Sequence, residues 1–145
     1  MTRLLGRWRR HNRSRGQALV EFALVVPIFL LLVFGLFDLG RVVYVNNALS
    51  EAAREGARWG SVQGRSATAD DRTGIASETL GRMNAIPDPA VTVTCERDSV
   101  EVATCHSTDV LVVEAASPVA LATPILGGLI GPLDLSATSR VVVHQ

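Results

Sequence analysis

Apolar positions change rhythm along this chain, and each rhythm predicts a different element. From Phe22 to Phe37 sixteen consecutive residues carry no charge, and taking the run back to Gln17 gives twenty-one with Glu21 as the one ionisable group. As a helix rising about 1.5 Å per residue, that run covers about 30 Å, the thickness of a bilayer's hydrocarbon core. Pro27 lies inside it and reads as a bend of the kind spanning helices tolerate. Past Asp38 the pattern narrows to one stripe: Val45, Leu49, Ala52, Ala53, Gly56 and Gly60 recur at helical spacing. The same helix is therefore expected to continue into solvent, to about Trp59. Glu51 with Arg54 and Glu55 with Arg58 would pair along its polar side. The stripe is made mainly of small residues, so another backbone can approach it closely, and it reads first as the seat of the C-terminal domain. A seam between subunits is the alternative.

Further along, the period shortens to two. Val91, Val93 and Cys95 alternate with Thr92 and Thr94, and Val110 to Glu114 and Ser139 to His144 are further β-rich runs. They predict an antiparallel sheet of three or four strands. Between the helix and the sheet, a small polar stretch (Ser61, Gly64, Ser66, Thr68) reads as a linker. A second helix follows, from Asp70 or Asp71 as cap to about Asn84, with Ile75, Leu80 and Met83 as its sparse apolar positions. Pro87 and Pro89 end helical structure. Pro118 to Pro132 is apolar but broken by Pro124 and Gly127-Gly128, and is too short for a second span. It is either a connection folded over the core or an apolar surface for a partner or the outer leaflet. The expected fold is α+β: a long N-terminal transmembrane helix packed with a small antiparallel sheet domain. It divides into a leader (1–16), the spanning and extended helix (17–60) and an extracytoplasmic domain (61–145).

Charge orients this arrangement. The chain is neutral overall, yet Arg3, Arg7, Arg9, Arg10, Arg13 and Arg15 precede Gly16 without an acid, so the leader is +6 and the remainder, with 8 Arg and 14 acids, is −6. Arginines just before an apolar run hold that flank on the cytoplasmic side. The chain is thus expected to cross the cytoplasmic membrane once, N-terminus inside and C-terminal domain outside. The hydrophobic run accounts for the cluster, so no nucleic-acid partner is expected. A cleaved secretory signal competes, but the run is longer than a signal core and Asp38-Leu39-Gly40-Arg41 lacks the small-x-small pattern of a cleavage site. Asp38 and Arg41 read as an interfacial pair where the hydrocarbon ends.

Cys95 and Cys105 fall on the oxidising side, which favours a disulfide over two buried thiols. A tight turn over Glu96 to Ser99 would leave the two residues about 16 Å apart along the strand, beyond bridging. A bridge therefore predicts a pinched loop from Cys95 to Cys105, with Ala90 to Cys95 pairing against Asp109 to Ala115. Such a crosslink adds about 2–4 kcal/mol to a small core.

Glu21 is the position that needs an explanation, since a carboxylate inside an apolar span costs about 3 kcal/mol unless it is interfacial or paired. It could snorkel at the cytoplasmic edge. Alternatively, cleavage after Gly16 makes Gln17 the new N-terminus, and its amino group on a neighbouring subunit would pair with Glu21. The stretch from Arg15 to Arg58 resembles the TadE-like family of pilus-assembly pseudopilins. The features that carry the resemblance are the basic leader, Gly16, Glu21 with Phe22, Pro27, the Asp38-x-Gly40-Arg41 exit and the run from Ala52 to Arg58. The resemblance implies a minor pilin-like component of a Tad/Flp (type IVb) pilus, cut after Gly16 by an aspartyl prepilin peptidase and contacting other pilins or pseudopilins. Major Flp pilins carry Tyr where this chain has Phe22. The competing function is a permanently anchored extracytoplasmic binding module for assembly or secretion components.

Catalysis finds no footing in the residues. His11, His106 and His144 form no ligand-spaced set with the cysteines, and Cys-x9-Cys-His lacks the second pair of a zinc site. Phosphate-binding loops and nucleophile elbows are absent from the sequence. No enzyme activity, metal, cofactor or small-molecule substrate is expected.

Overall fold

A computed structural model describes residues 8–63, 69–106 and 108–143. The helix α1 runs unbroken from Trp8 to Gln63 and carries Pro27 inside it. It is long and apolar enough to cross a membrane, and none of its most apolar stretch is covered by the rest of the chain. A second helix, α2 (Ala69–Gly81), is followed by the strands β1 (Ala90–Arg97), β2 (Val100–Val102) and β3 (Val110–Val119), the short helix α3 (Pro124–Ile130), and β4 (Leu133–Val142). The strands form one antiparallel sheet in the order β2-β1-β3-β4. The α+β architecture expected from the sequence is the one observed.

Several boundaries differ, each for a local reason. Gln63 rather than Trp59 ends α1. Asp70 and Asp71 lie within the first turn of α2 rather than before it, and that helix stops at Gly81, where turns over Arg82 to Ile86 take over. The strand expected from Ser139 starts six residues earlier, because Leu135, Ala137, Ser139 and Val141 all turn half-buried sides toward α1 while Ser136, Thr138 and Arg140 face out. Pro118 belongs to β3, paired with Asp134. The linker residues Gly64, Ser66 and Thr68, and His144, lie outside the described residues, as do Arg3 and Arg7 of the leader.

Packing is one-sided on α1. Val45, Leu49, Ala52 and Ala53 meet Met83, Ile86, Ala115 and Val119 in one core cluster. Ala57 joins Ile75, Cys95, Cys105, Leu111, Val113 and Val143 in a second, farther from the apolar run. The small residues set the approach distance. A Cβ built on Gly56 would lie 2.1 Å from Thr79 Oγ1, and one on Gly60 would lie 2.5 Å from Leu111 Cδ2 and 2.8 Å from Ile75 Cδ1. Thr79 itself is buried and donates its hydroxyl to the Ile75 carbonyl at 2.7 Å.

The far end of the sheet corrects the hairpin argument. A tight turn and the disulfide coexist: Asp98 and Ser99, both at positive φ, close a two-residue turn between Arg97 and Val100. The turn that would keep the cysteines apart, over Glu96 to Ser99, is not the one formed: Cys95 faces Val102, where β2 stops, and the chain folds back over the three residues to Cys105, which pairs with Cys95 at a Cα separation of 5.6 Å. The pairing of β1 with β3 is in the expected zone, Cys95 opposite Leu111 and Ala90 opposite Ala116.

Two arginines secure this corner. Arg72 of α2 donates to the carbonyls of Val102 and Ala103 as β2 ends. Arg97 donates from Nε and Nη2 to the two carboxylate oxygens of buried Asp109, at 2.7 Å each, and the His106 backbone N–H adds a third bond at 2.7 Å. The Arg97 guanidinium and then the His106 N–H hold the Asp109 carboxyl down at about 2. In the unfolded chain an Asp titrates near 3.9, so the folded state binds fewer protons between those values.

Two measurements test this packing on the full chain in detergent. Gly56→Val should lower the melting temperature, as an overpacked core costs about 1–3 kcal/mol, whereas Gly40→Ala, which meets nothing within 4 Å, should not. The stabilisation from Asp109 should be complete above about pH 4 and fade as the pH falls toward 2, and Asp109→Asn should flatten that part of the stability–pH curve.

Candidate functional site

The residues singled out near the N-terminus all lie on the uncovered part of α1. Gly16, Gln17, Glu21 and Phe22 are exposed, and a Cβ on Gly16 would meet nothing within 4 Å. Among the described residues no other element of the chain packs on the Gly16–Gln17 junction. Glycine weakens a helix interior by about 1 kcal/mol relative to alanine, so local opening is least costly there.

Glu21 has one polar contact among the described residues, from Gln17 Nε2 to Oε1 at 3.4 Å. That is at the long limit of a hydrogen bond and leaves most of the carboxylate's acceptor capacity unused. Around it Leu19, Val20, Phe22, Leu24 and Val25 are exposed and apolar. Among the described residues no cation meets Glu21.

Farther along the same helix, the geometry separates the other residues. Ala52, Ala53, Gly56 and Gly60 are covered by the chain's own α2 and sheet, so the stripe is occupied within one chain. On the uncovered side Glu55 accepts from Arg58 at 2.6 Å, and Arg82 of the turn after α2 reaches both Glu55 and Glu78. The Arg58 bond holds the Glu55 carboxyl below its ordinary value. Arg54 donates to the Ser50 carbonyl at 3.1 Å instead of pairing with Glu51. These exposed pairs add little stability.

Asp38 is where sequence reasoning missed a site. It is 6 % exposed, and its hydrogen bonds go elsewhere than to Arg41, which acts on it through its charge alone. Its carboxylate accepts from the Ala122 N–H at 2.7 Å, the Thr123 N–H at 2.9 Å and the Thr123 hydroxyl at 2.5 Å. One turn on, Arg41 Nη1 donates to the Ala120 carbonyl at 3.2 Å. Four contacts thus tie the loop between β3 and α3 to the point where the apolar run of α1 ends. The partners lie 79 to 85 residues away, and no spacing pattern announces them.

Among the described residues no three His, Cys, Asp or Glu side chains converge as a metal set. Buried Asp109 is engaged by Arg97 and the His106 N–H, as above, and His106 Nδ1 lies 2.9 Å from Arg97 Nη2.

No curated protein and no solved structure matches the chain. A segment that holds Gly16, Glu21, Asp38 and the small-residue stripe as far as Gly56 does match a family model: residues 16–58 are similar to the family described as TadE-like protein, the one the sequence resembles.

Proposed function

We propose that this chain is a structural pseudopilin of a Tad/Flp (type IVb) pilus, held in the cytoplasmic membrane by α1 and processed after Gly16 by a prepilin peptidase. The observation that carries this reading is Glu21: a carboxylate on an uncovered apolar helix with, among the described residues, one long contact, from Gln17. Among the described residues the buried carboxylates Asp38 and Asp109 are each met by at least three donors. Glu21, set in an apolar span, has no such set of its own, and a partner outside the chain would supply it.

Cleavage does two things at once. It frees the Gln17 amino group, which carries the positive charge Glu21 lacks. Because Gln17 precedes Glu21 by four residues, a neighbouring subunit displaced by about 6 Å along the axis brings its ammonium level with the carboxylate. Cleavage also removes the six leader arginines, taking the chain from neutral to −6. Each arginine near an anionic leaflet holds the leader there by about 1 kcal/mol, so processing releases the helix for withdrawal into an assembly. Other pilins or pseudopilins of the Tad system are the partners in this scheme, and the match over residues 16–58 supports it.

The covering of the small-residue stripe by the chain's own domain favours a second reading, a permanently anchored extracytoplasmic module that never enters a filament. N-terminal sequencing of the membrane-bound protein should read Gln-Ala-Leu-Val-Glu-Phe, and Gly16→Leu should leave a precursor sixteen residues longer. A start elsewhere, or unchanged processing of the variant, rejects the site. Glu21→Val should still be processed but vanish from sheared filaments. Absence of the wild-type chain from those filaments supports the anchored module.

A further inference from the structure

The hairpin of β3 and β4 ends in a loop of unusual composition at an informative place. Its last pair is Val119 opposite Leu133, so residues 120–132 form the loop and contain α3. Nineteen residues, Ala115 to Leu133, carry no ionisable group, although surface connections are ordinarily polar. The root of the loop is fixed: Val119 and Thr123 are buried, and Ala120, Ala122 and Thr123 are bonded to Arg41 and Asp38. At its far end Gly131, at φ +78°, turns the chain into β4, a conformation that favours glycine. Between these two points Leu129 is 81 % and Ile130 60 % exposed. Two large apolar side chains project into the surroundings from a well-held base.

The level of that base along α1 identifies the surroundings. Uncovered apolar side chains on α1 do not stop at Phe37; Leu39, Val43 and Tyr44 continue the band. Tyr44, the chain's one tyrosine, is the residue type that settles at a membrane interface. It stands six residues past Asp38, about 9 Å higher on the axis. The loop tied to Asp38 therefore lies below the upper edge of the apolar band, beside lipid rather than above it. The same placement explains why Asp38 is so fully bonded, since a carboxylate at that depth needs its donors from protein.

We propose that α3 is an interfacial wedge, with Leu129 and Ile130 inserted into the outer leaflet beside α1 and Asp38 as the latch that sets its depth. The proposal rests on the reading of α1 as a membrane span. It gives the domain a second point of contact with lipid, which fixes its rotation about the helix as well as its height. Short apolar segments of this kind bind by burying side chains at the headgroup boundary. Withdrawal of the chain from the membrane would have to free both contacts.

The test uses the full chain in phosphatidylethanolamine–phosphatidylglycerol vesicles. Cys95 and Cys105 are paired, so a nitroxide reacts only with an introduced thiol. Leu129→Cys should show collisions with oxygen exceeding those with a water-soluble nickel chelate, as Leu32→Cys in the span does. Val100→Cys at the far hairpin should show the reverse. Nickel-favoured collisions at 129, with Leu32→Cys still oxygen-favoured, overturn the wedge and leave the anchor intact. A label at 129 shielded from both reagents means that protein, such as a second copy, covers the tip, and also overturns it. If Leu32→Cys is itself nickel-favoured, the anchor reading fails and the wedge with it. Adding Asp38→Ala should shift the 129 label toward the nickel chelate without changing the 32 label; no shift removes Asp38 from the role of latch.

Discussion

A sheet and a helix can lie against α1 only because the side chains between them are nearly absent. Ala52, Ala53, Gly56, Ala57 and Gly60 leave a shallow face into which Thr79, Ile75 and Leu111 project, and at Gly56 and Gly60 even one methyl would collide. That close approach buries both core clusters, and the domain has little else to hold it. Its strands are few, and β2 is three residues long. The disulfide and the bonds of Arg97 and Arg72 secure the end of the sheet where Ala57 of α1 joins both cysteines in one cluster. A domain of this size depends on such crosslinks, because its core alone supplies little margin over the entropy of ordering the chain.

Three carboxylates removed from ordinary surface positions show how differently one chain treats charge. Asp109 is engaged by an arginine fork and a backbone N–H, which holds its pKa far below that of an exposed acid. Asp38 accepts three bonds from a loop more than eighty residues away, and so joins the end of the apolar run to the root of the loop between β3 and β4. Glu21 receives one long bond from a neighbour on its own helix. Two carboxylates are completed by tertiary structure, and the third is left open. The proposed pairing across subunits follows from that difference.

The loop at residues 120–132 illustrates how an ambiguous sequence signal divides. Read as one segment, it was either cover for the core or an apolar surface. The structure splits it by position: Val119 and Thr123 are buried at its root, while Leu129 and Ile130 are exposed at its tip. Composition could not separate the two, since leucine and isoleucine are apolar wherever they point. Direction was decided by Asp38, which draws the root against α1 and leaves the tip to face outward.

What the sequence by itself determined was whatever depends on local period and length: one uninterrupted helix, its change from apolar all round to a single stripe, the short second helix and the alternating strands. These were legible because the 3.6-residue and 2-residue repeats act between neighbours in the chain. The coexistence of a tight turn at Asp98-Ser99 with the disulfide, the extension of β4 back to Leu133, and the partners of Asp38 and Asp109 were decided only by the tertiary structure. Each depends on where a segment lies after the chain has folded back on itself. A side chain's charge is written in the sequence, but the donors that meet it arrive from elements with no periodic relation to it, so the fold alone chooses them.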